Sequence, residues 1–187
     1  MKMKLLPVVL FFSLSSLMYG QNKYSHIHFD KLTEIQGTEY VVARVEEQGK
    51  LPKVTEKSLL FINTKNGDSH HVIFDKKAYI GEAIQVKIDS LGINLILIPT
   101  KTVDLDGKKG IGWNDPMQII ALSTDGKKKK QLTDDNFFVR NWTVNKETGR
   151  AVIVGYKDTN NNKKYDKTDQ SEIQIYDLHT LELVHNL

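Results

Sequence analysis

The sequence predicts an all-β protein built from three similar four-stranded antiparallel units. Three observations carry this. Short β-branched segments recur through the chain, with helical periodicity hard to find after residue 20. Glycines and Asn-Gly or Asp-Gly pairs fall between those segments where tight turns are needed. The whole pattern returns at a spacing of roughly 55 residues, slightly above the repeat length of common propeller blades.

The units are read as follows. Tyr40 to Val45, Asn94 to Pro99 and Arg150 to Gly155 form one set of strands, preceded by Gly37, Gly92 and Gly149. A second set follows at Leu59 to Asn63, Gln118 to Leu122 and Glu172 to Tyr176. These run into turns at residues 65–68, 124–127 and 178–181, and a third set follows at His70 to Phe74, Lys128 to Leu132 and Leu183 to His185. Upstream of each unit lies one more strand, such as Glu82 to Ile88 and Val139 to Val144. Each unit therefore reads as a meander.

Residues 1–20 precede this pattern. Lys2 and Lys4 lead an apolar run from Leu5 to Phe12 that exits through serines and small residues to Gly20. That is the layout of a cleavable secretory signal, with cleavage expected near Gly20–Gln21. The run is shorter than the ~20 apolar residues of a membrane span and is broken by serines. The expected organisation is thus a signal peptide over 1–20 and a single β domain over 21–187, secreted or periplasmic and at most peripheral to a membrane. Losing Lys2 and Lys4 takes the formal charge of the chain from +3 to +1. A near-neutral domain gives no electrostatic reason to expect nucleic acid. With zero cysteines, no disulfide staples the fold, so stability must come from a buried core, helped by any bound ion.

Several motifs resemble a known family. Gln131-Leu132-Thr133, Asn141-Trp142-Thr143-Val144, Thr148-Gly149-Arg150 and Ile173-Gln174-Ile175-Tyr176-Asp177-Leu178 look like one blade of the TolB-type WD40-like propellers. The turn at residues 144–149 lacks that family's Pro-Asp pair, and the first two units match only in outline. The resemblance implies a propeller-like fold; with the expected export and the loop at residues 158–169, the reading is a non-enzymatic module for protein binding or scaffolding. Closed propellers have 4 to 8 blades, so three units imply a partial propeller, a homodimer of two chains closing six blades, or an open sandwich.

The loop at residues 158–169 carries the chemical signal. Asp158, Asn160, Asn162, Asp166 and Asp169 fall at positions 1, 3, 5, 9 and 12, and the Lys164 carbonyl falls at position 7. Calcium takes 6 to 8 hard oxygens, and a tightly wound loop turns alternate residues inward. The loop resembles those of dockerins and EF-hands, with departures. Lys163 stands where a glycine normally permits the turn, and Asp169 is shorter than the usual Glu. Expected affinity is weak, ~10⁻⁴ to 10⁻³ M. Asp104, Asp106 and Asp115 form a degenerate sister loop one unit earlier.

Other features carry less. His26, His28 and Asp30, with His70 and His71, offer zinc ligand types without a spacing that unites them. Lys127 to Lys130 read as a solvated strand edge. Trp113, in a loop, is the candidate for stacking on a cell-envelope glycan. No Gly-x-Ser-x-Gly, His-Glu-x-x-His or phosphate-cradling loop is present. A glycan-binding module and a hydrolase of unrecognised type on a propeller-like scaffold are the alternatives to a calcium-stabilised binding domain.

Overall fold

The computed structural model describes residues 27–47, 56–75, 77–108 and 110–187. The expected leader, like His26, lies outside them. Among the described residues no helix is long and apolar enough to cross a membrane.

Among the described residues thirteen strands form three antiparallel sheets, which we call blades. Blade 1 holds β1 (Ile27–Glu34), β2 (Tyr40–Glu47), β3 (Glu56–Asn63) and β4 (Ser69–Asp75) in that order. Blade 2 holds β5 (Tyr79–Ile80), β6 (Ile84–Ile88), β7 (Ile93–Lys101), β8 (Gln118–Ser123) and β9 (Lys129–Gln131). Blade 3 holds β10 (Phe137–Asn145), β11 (Arg150–Lys157), β12 (Gln170–Asp177) and β13 (Glu182–Asn186). The strands expected from the turn and β-branched pattern match these in order and pairing. Among the described residues no sheet closes on itself, so the architecture is an open row of blades.

Blade 2 departs from four strands only in appearance. Tyr79 and Ile80 pair with Lys101 and Thr100, while Ile84 pairs with Leu97. Three residues, Gly81 to Ala83, therefore face two, Ile98 and Pro99. This is a bulge in a single outer strand, placed where Pro99 has no N–H to donate. Gly81 donates its N–H to the Pro99 carbonyl at 2.8 Å. A Cβ on Gly81 would stand 2.6 Å from that same oxygen, so no larger residue fits.

Hairpins close on left-handed residues. Gly67, Gly126 and Gly149 sit at φ 78°, 74° and 65°. In blade 3 the residue that closes the β12–β13 turn is Leu181, at φ 60°, donating to the Asp177 carbonyl at 2.7 Å as Gly67 does to Asn63.

Two cores lie between the blades. Val42, Leu59 and Phe61 of blade 1 pack with Ile96, Ile98, Ile120 and Leu122 of blade 2. From the opposite face of blade 2, Leu95, Leu97, Ile119 and Ala121 pack with Ala151, Ile153 and Tyr176 of blade 3. Blade 2 is therefore buried on both faces, which explains why β7 and β8 read as nearly unbroken apolar runs. A smaller cluster of Ala43, Val45 and Leu60, with Ile62 against it, lies on the far face of blade 1.

Candidate cation-binding loops

The long connections β7–β8 and β11–β12 are equivalent in the repeat, and each contains a twelve-residue acidic stretch. Their local fold comes from short polar side chains that capture backbone N–H groups two or more residues on.

In the blade 3 loop, Asp158 accepts from the backbone N–H groups of Asn162 at 3.1 Å and Lys163 at 2.8 Å. Asn160 accepts from Asn162 N–H at 3.0 Å, and Asn162 from Lys164 N–H at 3.1 Å. Asn160 and Asn162 both donate side-chain N–H to Asp166 Oδ2. Asp169 Oδ2 accepts from Asp166 N–H at 2.8 Å. The structure thus brings Asp158, Asn160, Asn162, Asp166 and Asp169 into one hydrogen-bonded network. Asp158 and Asp169, at its two ends, are only 4% and 9% exposed. Asp169 Oδ1 is buried with no hydrogen-bond partner among the described residues.

Two features bear on cation binding here. Lys163 adopts φ 64°, the backbone that position 6 of such a loop demands, without the glycine that would hold it unstrained. Hydrogen bonds from the Thr168 hydroxyl and N–H, then from Asn162 and Asn160, hold the Asp166 carboxyl pKa down at about 2. Each Asn oxygen can accept its backbone N–H and still offer a second lone pair inward.

Tyr165 anchors this loop to the outer side of blade 3. Its ring centroid lies 4.7 Å from Tyr156 and 6.3 Å from Phe138. The Arg140 guanidinium covers Tyr165 at 4.4 Å. Sequence reasoning missed this cluster. Arg140 is the extra residue of a bulge between Val139 and Asn141, and bulges leave no mark in a periodic pattern.

The blade 2 loop is the tighter carboxylate group, although its sequence looks degenerate. One oxygen each from Asp104, Asp106 and Asp115 lie within 4.8 Å of one another. Asp115 is spent on structure, accepting from Leu105 N–H at 2.9 Å and Gly112 N–H at 2.6 Å. Asp104 Oδ1 is buried without a partner among the described residues. An ammonium lies within this loop: Lys101 Nζ donates to the carbonyls of Gly112 at 3.1 Å and Trp113 at 2.8 Å. Burial pushes the Lys101 pKa down, against the pull of Asp115.

No protein-family model matches the chain. No curated protein matches it either. Among solved structures it is similar to an acylaminoacyl peptidase of Pyrococcus horikoshii, with a TM-score of 0.46 and 11% identity. That alignment covers 86% of this chain and 25% of the peptidase, so the chain spans about a quarter of that protein's length.

The remaining expected positions are scattered. Trp113 stands 97% exposed, with Lys101 Nζ 5.9 Å from its ring centroid. His71 Nδ1 lies 3.2 Å from Ser58 Oγ, and His70 is exposed on the same strand. Lys127 and Lys128 lie in an exposed turn and Lys129 and Lys130 on the short edge strand β9, where Lys130 pairs with Glu182. A cavity of about 330 Å³ opens between blades 1 and 2, lined by Val42, Arg44, Tyr79 and the ion pair Lys31–Glu82 among others. The acidic loops do not line it.

Proposed function

We propose that this chain is an exported β-blade module that binds another protein and is stabilised by calcium in its β11–β12 loop, with no catalytic role. The observation that carries the metal reading is the buried Oδ1 of Asp169, which has no donor among the described residues in a network of five oxygen-bearing side chains. A buried carboxylate oxygen without a partner is costly. A hard divalent cation would supply what it lacks. That Asp104 Oδ1 shows the same deficit in the equivalent loop supports the reading, because the feature recurs with the repeat. The loop at 158–169 is the stronger candidate, since Lys101 already places a cation among the carbonyls of the other.

Titration calorimetry and thermal melting of the purified chain with calcium chloride test this. Saturation to about 100 times Kd should stabilise the fold by roughly 2.7 kcal/mol. Asp158→Asn and Asp169→Asn should each remove the effect, while Asp106→Asn should leave most of it. Absence of heat and of any melting shift with calcium at about 100 times the expected Kd would refute the metal reading.

Trp113 favours a second reading. An indole 97% exposed is available to stack on a sugar ring. Binding on a glycan array that disappears in Trp113→Ala would establish it, and an array with no signal would remove it.

A further inference from the structure

Arg44 is a half-buried cation with no carboxylate in ion-pair range among the described residues. It lies on β2 two residues after Val42, so its side chain shares the face that meets blade 2. Opposite it stands the bulge in the outer strand of blade 2. Gly81 spends its N–H on the Pro99 carbonyl and leaves its own carbonyl to accept from Arg44 Nη2. A guanidinium carries several N–H donors in a fixed fork, and one neutral acceptor does not exhaust them. The bulge thus aims Arg44 before any ligand arrives, which lowers the entropic cost of binding.

Arg44 lines the cavity of about 330 Å³ between blades 1 and 2, a size within the range of small-molecule sites. Its described walls are of two kinds. Val42, Leu59 and Ala83 are apolar, and Tyr79 stands beside them. Lys31 and Glu82 form an exposed ion pair at 2.5 Å. The hydrogen bond and charge of Lys31 hold the Glu82 carboxyl pKa below its ordinary value, with a smaller contribution from Arg44. Glu82 is therefore already matched by Lys31. The described lining carries two cations against one carboxylate, so one positive charge is uncompensated.

We propose that this cavity binds an organic monoanion: a carboxylate on a small apolar body, carried by a free molecule or by the C-terminal residue of a polypeptide. The planar carboxylate meets the Arg44 fork through paired N–H donors. The apolar body lies against Val42, Leu59 and Ala83. A phosphate monoester fits less well, because its charge of about −1.5 to −2 exceeds the single positive charge left over. The acidic loops do not contribute to this site, and it is independent of calcium.

Heteronuclear NMR of the isotope-labelled chain, titrated with N-acetyl-leucine in the presence of a calcium chelator, tests this. Amides of residues 42–44 and 81–83 should shift and saturate. N-acetyl-leucinamide, which lacks the charge, should bind about tenfold more weakly or not at all. Arg44→Gln should abolish the shifts, and Arg44→Lys, which keeps the charge without the fork, should fall between. Glu82→Gln should act the other way. It removes the one carboxylate and frees Lys31, so the acid should bind several-fold more tightly. Glu82 is exposed, so this variant decides the matter even where Arg44→Gln fails to fold. An acetylated glycyl-glycyl-leucine peptide separates the two sources. Tighter binding than N-acetyl-leucine assigns the site to polypeptide C-termini, and equal or weaker binding assigns it to free acids. No saturable shift with either acid, equal binding of acid and amide, or binding weakened by Glu82→Gln would overturn the proposal. Because chelator is present throughout, none of these results bears on the metal reading.

Discussion

Lys163 and Leu181 both hold left-handed backbone, at φ 64° and 60°, where an L side chain costs roughly 1–2 kcal/mol. Leu181 recovers this by packing against the core between blades 2 and 3. Lys163 is exposed and recovers nothing by packing. Lys163→Gly should therefore stabilise the chain by about 0.5 kcal/mol or more, after the entropy lost by glycine is subtracted. Differential scanning calorimetry should show a melting point roughly 1–3 °C higher. Leu181→Gly should show no such gain, because its core contact goes with the strain. Asp166 gives a pH test. Its folded pKa of about 2 lies below the ordinary 3.8, so the native loop favours the carboxylate. The resulting stabilisation is complete above pH 3.8 and fades as pH falls toward 2. Carboxyl NMR should place the Asp166 midpoint near 2, and Thr168→Val, which removes the leading donor, should raise it.

Among the elements, β11 shows how a sheet is adjusted to receive a core. Gly155 pairs with Val139 just before the β10 bulge. A Cβ there would stand 2.6 Å from both Phe137 Cζ and the Phe138 carbonyl. Gly155→Ala should cost about 1–3 kcal/mol by overpacking, measured as a lowered urea midpoint. A midpoint unchanged from wild type would mean that Phe137 has room to move. The outer strand of blade 2 makes the same point at Gly81 and Pro99. Both irregularities are single residues set against a partner strand, visible only when the partner's register is known. The regular strands were legible because β-branched segments bounded by turn residues recur three times.

At the scale of the whole molecule, blade 2 joins two cores, one on each face. Leu97 is fully buried toward blade 3 and Ile98 fully buried toward blade 1. Leu97→Ala and Ile98→Ala should each cost about 2–5 kcal/mol. With a shared central blade, each should lower one common unfolding transition, followed by circular dichroism in urea. Two separate transitions would show that the blades unfold singly, as weakly coupled repeats do.

The order of strands, their pairing within units and the repeat itself follow from sequence, because turn residues and alternation act between neighbours in the chain. The acidic loop at 158–169 was visible on the same grounds, its contacts spanning only a few residues. The sister loop offers few ligand positions in sequence, yet folding brings Asp104, Asp106 and Asp115 together. The intrusion of Lys101, the aromatic seat of Tyr165 and the cavity beside Arg44 were settled only by tertiary structure. Each depends on which face of a strand meets which neighbour, and that is decided by packing between blades far apart in the chain.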